Sequence, residues 1–454
     1  MENYYDILGV PTGATTAETT VTLNAPHLWH GLKDPYLYTL ETTVVATDGS
    51  RDTQKLAVGL RTLTFDRDKG AFLNGESYPL RGVNRHQDRE KQSWAVTEDQ
   101  EREDVAIIRE IGANAVRAAH YPHSEAFLDA CDRAGLLVWA EVPVIDTVGQ
   151  NPDAFGANAE LQLREMIAQQ RHHAGVFCWS LFNEIGQRKG KNALPVVRRL
   201  NEVAHAEDPT RPTVAATNRG QKDLNSISDM MAFNGYPGWY GGGNGDLSGT
   251  IRSFRASSPD RPWGIAEYGA GASLSHQDDM IAKGPAPAGK WHPEAWQCRI
   301  HENALASIQK HPGVWGTFVW NMFDFASPWR TEGERDGIND KGLVTYARKT
   351  RKDAFFLYKA NWSEEPVLHL LARRDTVRKS ADTVVRYYTN LTGVSVKLNG
   401  APLPEAKPYA PSGYIIEKVK LRPGKNRVEA SARTQDGKTL ADSVEWTFTE
   451  EPAK

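Results

Sequence analysis

Two glutamates of the sequence each follow a run that is typical of a buried strand. Glu184 ends the run 178–184, and Glu267 follows the apolar run 263–266. Hydrolysis of a glycosidic bond needs one carboxylic acid to protonate the leaving oxygen and a second carboxylate to attack the anomeric carbon or activate water. Either glutamate alone would suit a solvated loop or an ion pair. Together, with Arg117 and His120 at the end of a third predicted strand, they favour a glycosidase site.

The elements that position these residues are predicted from the periodicity between residues 72 and 361. Helix-like segments alternate there with eight apolar strands, predicted at 78–84, 115–120, 136–142, 176–182, 213–216, 230–234, 263–266 and 314–319. This regularity favours a (β/α)₈ TIM barrel over an open doubly wound sheet. Catalytic groups of such barrels lie at the carboxyl ends of the strands, so both glutamates are expected at one mouth.

Strand patterns flank the predicted barrel on both sides. Short strands are predicted at 19–23, 36–45 and 55–61, with a hairpin signal at Asp48-Gly49. After residue 362 alternating runs resume, with an Asn399-Gly400 turn signal. We therefore predict three domains: a partial β-sandwich at 1–64, a catalytic TIM barrel at 65–361 and a C-terminal β-sandwich at 362–454. The first is short for a complete sandwich of roughly 100 residues.

Composition excludes several classes of protein. Of the 454 residues, 54 are Lys or Arg and 57 are Asp or Glu, and no long basic stripe occurs, which argues against nucleic acid as the main partner. No apolar run approaches the ~18 residues of a membrane span. Only three cysteines occur, far apart, so neither a disulfide framework nor a zinc knuckle is expected. No glycine-rich phosphate motif lies between a strand and a helix, and we expect no cofactor.

The N-terminal residues carry no signal-peptide pattern, since neither a basic segment nor an apolar core follows Met1. The compartment is left open between cytoplasm and periplasm. Residues 4–11 resemble the opening of a chaperone J-domain, but no His-Pro-Asp follows. We assign no chaperone function to them.

Several runs together resemble the signatures of glycoside hydrolase family 2, the family of β-galactosidases and β-glucuronidases. The run 178–184 is similar to the acid/base signature and 267–270 to the nucleophile motif. Further matching runs lie at 81–86, 114–122 and 320–324. The resemblance covers about residues 25–450 and implies a TIM barrel beside immunoglobulin-like sandwiches.

This resemblance implies a role for each matching residue. Glu184 would be the general acid/base, and Glu267 would be the nucleophile that forms a glycosyl-enzyme with retention of configuration. Other positions are implied around the sugar: Asn183 for the 2-hydroxyl, Arg117 to hold Glu267 ionised, Tyr236 as a hydrogen-bond donor to the nucleophile, His86 and His120 for sugar hydroxyls, and Trp320 as a stacking floor.

The substrate class is predicted with alternatives. Runs 269–273, 323–327 and 337–342 resemble the β-galactosidase branch, so the leading hypothesis is a retaining, exo-acting β-galactosidase. However, Asn339 and Lys341 match the Asn-x-Lys pair with which β-glucuronidases bind the uronate carboxylate, so β-glucuronidase is the alternative. A third interpretation is a truncated, non-catalytic sugar-binding remnant.

The sequence departs from the family pattern in three places. The N-terminal jelly-roll domain is absent and the first sandwich is short, which indicates a truncated chain. His172-His173-Ala174-Gly175 replaces the usual Asn-His-Pro-Ser, a change that we expect to be structural. The stretch 145–148 lacks the histidine with which some relatives bind magnesium, so we predict no essential metal. Family members are often oligomers, and a homo-oligomer is therefore possible.

Overall fold

The computed structural model describes residues 23–186 and 190–449. The segment that resembles a J-domain, at 4–11, and all but the last residue of the predicted strand 19–23 lie outside this range.

The N-terminal part of the described chain contains two small antiparallel sheets. Strands β1 (Tyr38–Val45) and β2 (Arg51–Val58) form a hairpin through the predicted turn at Gly49, whose φ is 87°. Strands β3 (Leu63–Asp66), β4 (Gly70–Leu73) and β5 (Glu76–Ser77) form the second sheet. Leu73 packs with Trp315 in the lower core of the barrel, so this second sheet closes the barrel floor.

Eight parallel strands form a closed barrel, as predicted. They are β6 (Leu80–Arg85), β7 (Ala115–Ala118), β8 (Leu137–Glu141), β9 (Val176–Asn183), β10 (Thr213–Thr217), β11 (Met230–Asn234), β12 (Trp263–Tyr268) and β13 (Gly316–Val319). Pairing of β13 with β6 closes the ring. The strands are buried on both sides, which explains why their sequences read as continuous apolar runs.

Helices connect most of these strands. The helices of the described chain are α1 (Glu98–Glu110), α2 (Glu125–Ala134), α3 (Pro152–Gln170), α4 (Leu194–Glu207), α5 (Lys222–Asn225), α6 (Ser248–Ser257), α7 (Glu294–Ile308) and α8 (Asp353–Trp362). Thr97 and Gln100 form a capping box at the start of α1. The periodicity of the sequence predicts starts at 157 for α3 and at 349 for α8, and both were wrong. Helix α3 begins five residues before position 157, because Asn151 caps it and Pro152 suits a first turn. Helix α8 begins after position 349, because Lys352 is extended.

The C-terminal region is a two-layer β-structure, as predicted. Short strands β14 (Phe325–Ala326) and β15 (Ile338–Asn339) precede it at the barrel mouth. One layer has the order β16-β18-β22-β21, and the other has the order β17-β24-β23-β19-β20. Their bounds are Leu368–Leu370 (β16), Val377–Arg378 (β17), Asp382–Thr389 (β18), Ser395–Leu398 (β19), Ala401–Pro402 (β20), Lys407–Ala410 (β21), Gly413–Lys420 (β22), Gly424–Arg433 (β23) and Thr439–Phe448 (β24).

The two layers enclose a separate apolar core that includes Val385, Val428 and Trp446. Tyr388 and Tyr409 from this region each donate a hydrogen bond of 2.6 Å to Glu302 on α7, which joins the sandwich to the barrel. The domain boundaries at 64/65 and 361/362 stay predictions. None of the helices in the described ranges is long and apolar enough to cross a membrane.

A packing constraint in the barrel interior gives a stability prediction. A methyl group added at Gly82 in β6 would overlap the ring of Phe318, which is its neighbour in β13. We expect Gly82→Ala to lower the free energy of unfolding by roughly 1–3 kcal/mol, since overpacked cores cost about that much. Thermal unfolding followed by near-UV circular dichroism measures the effect. Gly220→Ala is the control, because nothing lies within 4 Å of its added methyl; an equal melting temperature for both variants would contradict the prediction.

Candidate active site

The barrel brings both predicted carboxylates to one cavity. Glu184 follows β9 and Glu267 lies in β12, and both side chains line a cavity of about 920 Å³ at the carboxyl ends of the strands. The predicted residues that line it are His86, His120, Asn183, Glu184, Tyr236, Glu267, Trp320 and Asn339. The other two, Arg117 and Lys341, are buried behind its wall. Eight of the ten predicted site residues therefore line the cavity, and their roles stay predictions.

Glu267 is held by two hydrogen-bond donors, one on each oxygen. Arg117 Nη1 donates to Oε1 over 2.7 Å, and the Tyr236 hydroxyl donates to Oε2 over 2.7 Å. His120 Nε2 lies 3.9 Å from Oε1. Charge-assisted contacts of this kind stabilise negative charge and fix the plane of a carboxylate. The arrangement suits a nucleophile that must point one oxygen at a reacting carbon.

Arg117 lies between two carboxylates and is fully buried. Besides Glu267 it contacts Glu141 through Nε at 3.0 Å and Nη2 at 3.1 Å. Burial would raise the pKa of Glu141, but Arg117 and His120 together hold it at about 2. Sequence reasoning missed Glu141, although its place at the end of β8 is the same signal that identified Glu184 and Glu267.

Glu184 has the opposite electrostatic environment. Burial and the nearby charge of Glu267 raise the pKa of Glu184 to about 7. Its backbone is left-handed, with φ at 51°, and its N–H donates to the carbonyl of Ala216. Asn234 Nδ2 donates to Oε1 over 2.8 Å. A carboxyl group that stays protonated near neutral pH is suited to general acid catalysis.

Asn183 is oriented by its neighbours. Its Oδ1 accepts hydrogen bonds from Arg117 Nη2 at 2.9 Å and from Asn234 Nδ2 at 3.1 Å. Because the oxygen is engaged, the amide nitrogen is the group that Asn183 offers to a ligand. Asn234, which holds both Asn183 and Glu184, was not predicted as a site residue, although it directly precedes Gly235-Tyr236.

Aromatic rings form one wall of the cavity. His120 stacks on Trp320 with ring centroids 5.2 Å apart, and His86 stacks on Phe325 at 4.1 Å. His120 Nδ1 lies 2.6 Å from Glu141, which orients Nε2 towards Glu267. Burial, with neighbouring histidines and arginines, holds the pKa of His86 well below its usual range. His120 thus covers one face of Trp320. This contact leaves the other face of the Trp320 ring for the predicted stacking on a sugar.

Two cations, Lys341 and Arg330, lie at one end of the cavity together with Asn339 and Tyr240. We call these four residues the cationic end. The ammonium of Lys341 lies 4.9 Å from the centre of the Tyr240 ring. Arg330 and Tyr240 line the cavity, and Arg330 Nη1 donates to the Tyr240 hydroxyl over 3.2 Å. Asn339 Oδ1 accepts from the backbone N–H of Lys341 at 3.2 Å. Arg330 and Tyr240 were missed, because no motif marks them.

In the described ranges, one group of acidic and histidine side chains is spaced closely enough to hold a metal ion. This group lies outside the cavity. It consists of Glu125, His172 and His173. Both ring nitrogens of His173 already meet carboxylates, Asp132 at 2.8 Å and Glu125 at 2.9 Å. Burial opposes the charged ring, but these carboxylates raise the pKa of His173 to about 9. The histidine therefore links α2 to the chain before β9. The absence of an essential metal stays a prediction.

A closed barrel with two unlike carboxylates at its mouth is typical of glycoside hydrolases, and the sequence comparisons agree with that class. Residues 66–365 match "Glycosyl hydrolases family 2, TIM barrel domain", and residues 7–61 match "Glycosyl hydrolases family 2". The chain belongs to glycoside hydrolase family 2.

The names of the individual relatives give two different activities. A β-glucuronidase from Bacteroides fragilis is 40% identical, and the match covers 94% of this chain and 62% of that protein. A β-galactosidase from Bacteroides ovatus is 24% identical, and the match covers 93% of this chain and 54% of that protein. A crystal structure of a putative β-galactosidase from Bacteroides fragilis superposes with a TM-score of 0.91 and 37% identity, covering 98% of this chain and 66% of that one. The chain thus spans less than two thirds of the length of these named relatives.

The Arg117–Glu141 pair predicts a pH-dependent stability difference. Glu141 has a folded pKa of about 2 against an ordinary value of 4.5, so its contribution to stability is complete above 4.5 and is lost as the pH falls towards 2. We expect Glu141→Gln to melt at a lower temperature than the parent protein at pH 6. The difference between the two should shrink on acidification. Thermal melts from pH 6 to pH 3 measure it, and a difference that does not vary with pH would contradict the assignment.

Proposed function

We propose that this protein is a retaining β-glucuronidase. The observation that carries the proposal is the cationic end of the cavity, where Lys341 and Arg330 flank Tyr240 beside Asn339. The 40% identity with the Bacteroides fragilis β-glucuronidase supports it better than it supports our leading expectation of a β-galactosidase.

The charge of the cavity end argues for an acidic sugar. Lys341 is 1% exposed, and burial lowers the pKa of its ammonium. A neutral hydroxymethyl group of galactose would leave this buried cation without a counter-charge from the substrate, whereas a uronate carboxylate would supply one. The Tyr240 hydroxyl and the Arg330 guanidinium, whose Nη1 also pairs with Glu332, lie on the cavity side and suit the same carboxylate.

The first chemical step uses both glutamates. Glu267 attacks the anomeric carbon while Glu184 donates its proton to the glycosidic oxygen, so the aglycone leaves and a covalent glycosyl-enzyme remains. Arg117 and Tyr236 hold Glu267 in the orientation for attack. We expect the two carboxyl groups to lie ~5–5.5 Å apart, the separation of retaining enzymes.

The second step returns the enzyme to its starting state. Esterification removes the charge of Glu267, so the pKa of Glu184 falls and the residue becomes a general base. Glu184 then takes a proton from water, whose oxygen attacks the anomeric carbon on the face that the aglycone left. The bond between this carbon and Glu267 breaks, so Glu267 leaves as a carboxylate and the product has retained configuration. The amide nitrogen of Asn183 is placed to hold the 2-hydroxyl through both steps.

β-Galactosidase is the second candidate function. It is supported by the superposition on the putative β-galactosidase of Bacteroides fragilis.

The choice of sugar is tested with a matched pair of substrates. We expect release of 4-nitrophenol from the β-glucuronide to exceed release from the β-galactoside. Lys341→Met should lower kcat/KM for the glucuronide by about 100-fold, since loss of one partner of a buried charge pair costs ~3 kcal/mol. Lys310→Met is the control, because Lys310 is exposed just after α7, and it should leave kcat/KM unchanged for both substrates. Preference for the galactoside would exclude the glucuronidase proposal.

The covalent step is tested by trapping. A Bacteroides uniformis β-glucuronidase, 33% identical with a TM-score of 0.84 over 93% of this chain and 52% of its own, is known covalently bound to cyclophellitol-6-carboxylate aziridine. We expect the same compound to label this protein at Glu267 and to leave Glu267→Ala unlabelled, as read by peptide mass spectrometry. Proton NMR of early product should show the β-anomer. Folded protein that is neither labelled nor active would favour the non-catalytic remnant.

The raised pKa of Glu184 predicts the alkaline side of the pH profile. Below a pKa of about 7 Glu184 is protonated and can act as the acid, so kcat/KM should fall as the pH rises through 7. Glu184→Gln should lose this alkaline limb while it keeps residual turnover of a substrate with a good leaving group. Initial rates from pH 4 to pH 9 provide the test. An alkaline limb that persists in the variant would assign it to another group.

A further inference from the structure

Lys352 is a fully buried cation that lies outside the cavity. It is the extended residue before α8, with φ −75° and ψ 161°. Its ammonium donates three hydrogen bonds: to the carbonyl of Ala272 at 2.7 Å, to Asp324 Oδ1 at 2.8 Å and to the carbonyl of Asp340 at 2.9 Å. All three donor positions of the ammonium are therefore occupied.

These three partners belong to three separate segments that carry the site. Ala272 lies five residues after Glu267, in the chain that leaves β12. Asp324 lies four residues after Trp320, in the chain that leaves β13. Asp340 stands between Asn339 and Lys341, in the segment that forms the cationic end. One charged group thus joins the segments that follow the last two barrel strands.

The side chain of Asp340 strengthens this arrangement. Its Oδ2 accepts from His292 Nδ1 at 2.7 Å and from Ser273 Oγ at 3.0 Å. The second acid, Asp324, also accepts from the backbone N–H of Gly342 at 2.8 Å. The segment 339–342 is therefore held from the protein side by an aspartate, a histidine and a lysine, none of which lines the cavity.

We infer that Lys352 is a positioning residue whose ammonium fixes the Asn339–Lys341 segment relative to the chain that carries Glu267. The inference rests on the proposed function in one respect, since it assigns the cationic end to sugar binding. Lys352 itself does not meet the substrate. It sets the place of the groups that hold the sugar, while Arg117 and Tyr236 hold the nucleophile independently.

The chemistry explains why lysine suits this position. Three oxygens converge on one point, and one of them belongs to a carboxylate. An ammonium offers three donors and a positive charge there, whereas a methionine of similar length offers neither. Removing the ammonium also leaves Asp324 as a buried acid without its cation, so a second variant is needed in which a neutral asparagine replaces this acid.

The first experiment measures the effect on kinetics. We expect Lys352→Met to raise KM about 10-fold for the better of the two nitrophenyl glycosides and to change kcat by less than about threefold. The reason is that the variant loosens contacts with the bound sugar but leaves the positions of Glu184 and Glu267 unchanged. Lys352→Arg, which keeps charge and donors, should restore part of the affinity. Lys359→Met on α8 is the control, because Lys359 pairs with Glu110 and Glu365 away from the site. Loss of active protein alone would lower kcat and leave KM unchanged, and that result would overturn the inference.

The second experiment does not depend on activity. Hydrogen–deuterium exchange should show faster exchange of the amides at 338–343 and 270–273 in Lys352→Met than in Lys359→Met, because hydrogen bonds to both segments are lost. If Lys352→Met does not fold, the double variant Lys352→Met/Asp324→Asn serves instead, since asparagine keeps an acceptor for Gly342. Unchanged exchange in these segments would overturn the inference. If the parent protein cleaves neither glycoside, the proposed function fails, and exchange still decides the role of Lys352.

Discussion

The site depends on a single buried guanidinium between two carboxylates. Arg117 has no access to solvent, so its charge has to be balanced inside the barrel. Glu141 supplies one counter-charge from β8 and Glu267 supplies the other from β12. The same guanidinium also donates to Asn84 and Asn183, so four barrel strands converge on it. The ion pair with Arg117 therefore fixes the position of Glu267 at the cavity.

The difference between the carboxyl groups of Glu184 and Glu267 follows from this balance. Arg117 and Tyr236 donate hydrogen bonds to Glu267, whereas burial and the charge of Glu267 raise the pKa of Glu184. Two chemically similar side chains thus have different surroundings. A Glu184 that stays protonated near neutral pH is the starting state that general acid catalysis requires.

Strong periodicity and strand-end position explain what the sequence predicted. The barrel followed from alternating strands and helices, and Glu184 and Glu267 followed from their positions after β9 and β12. Glu141 obeys the same rule and should have been included. The burial of Lys341 beneath Tyr240 could not be predicted, because it depends on packing between residues a hundred positions apart. The late start of α8 has a similar cause, since Lys352 makes tertiary hydrogen bonds instead of a helical turn.

The closed floor of the barrel has a consequence for the order of events during turnover. The β3–β5 sheet and Trp315 seal the end of the barrel opposite the glutamates, so ligands enter and leave on the same side. Under the proposed function, the group bonded to the sugar would lie nearer the opening and would leave first, and the sugar would leave last. The released sugar would then occupy the place that the next substrate needs and would act as a competitive inhibitor.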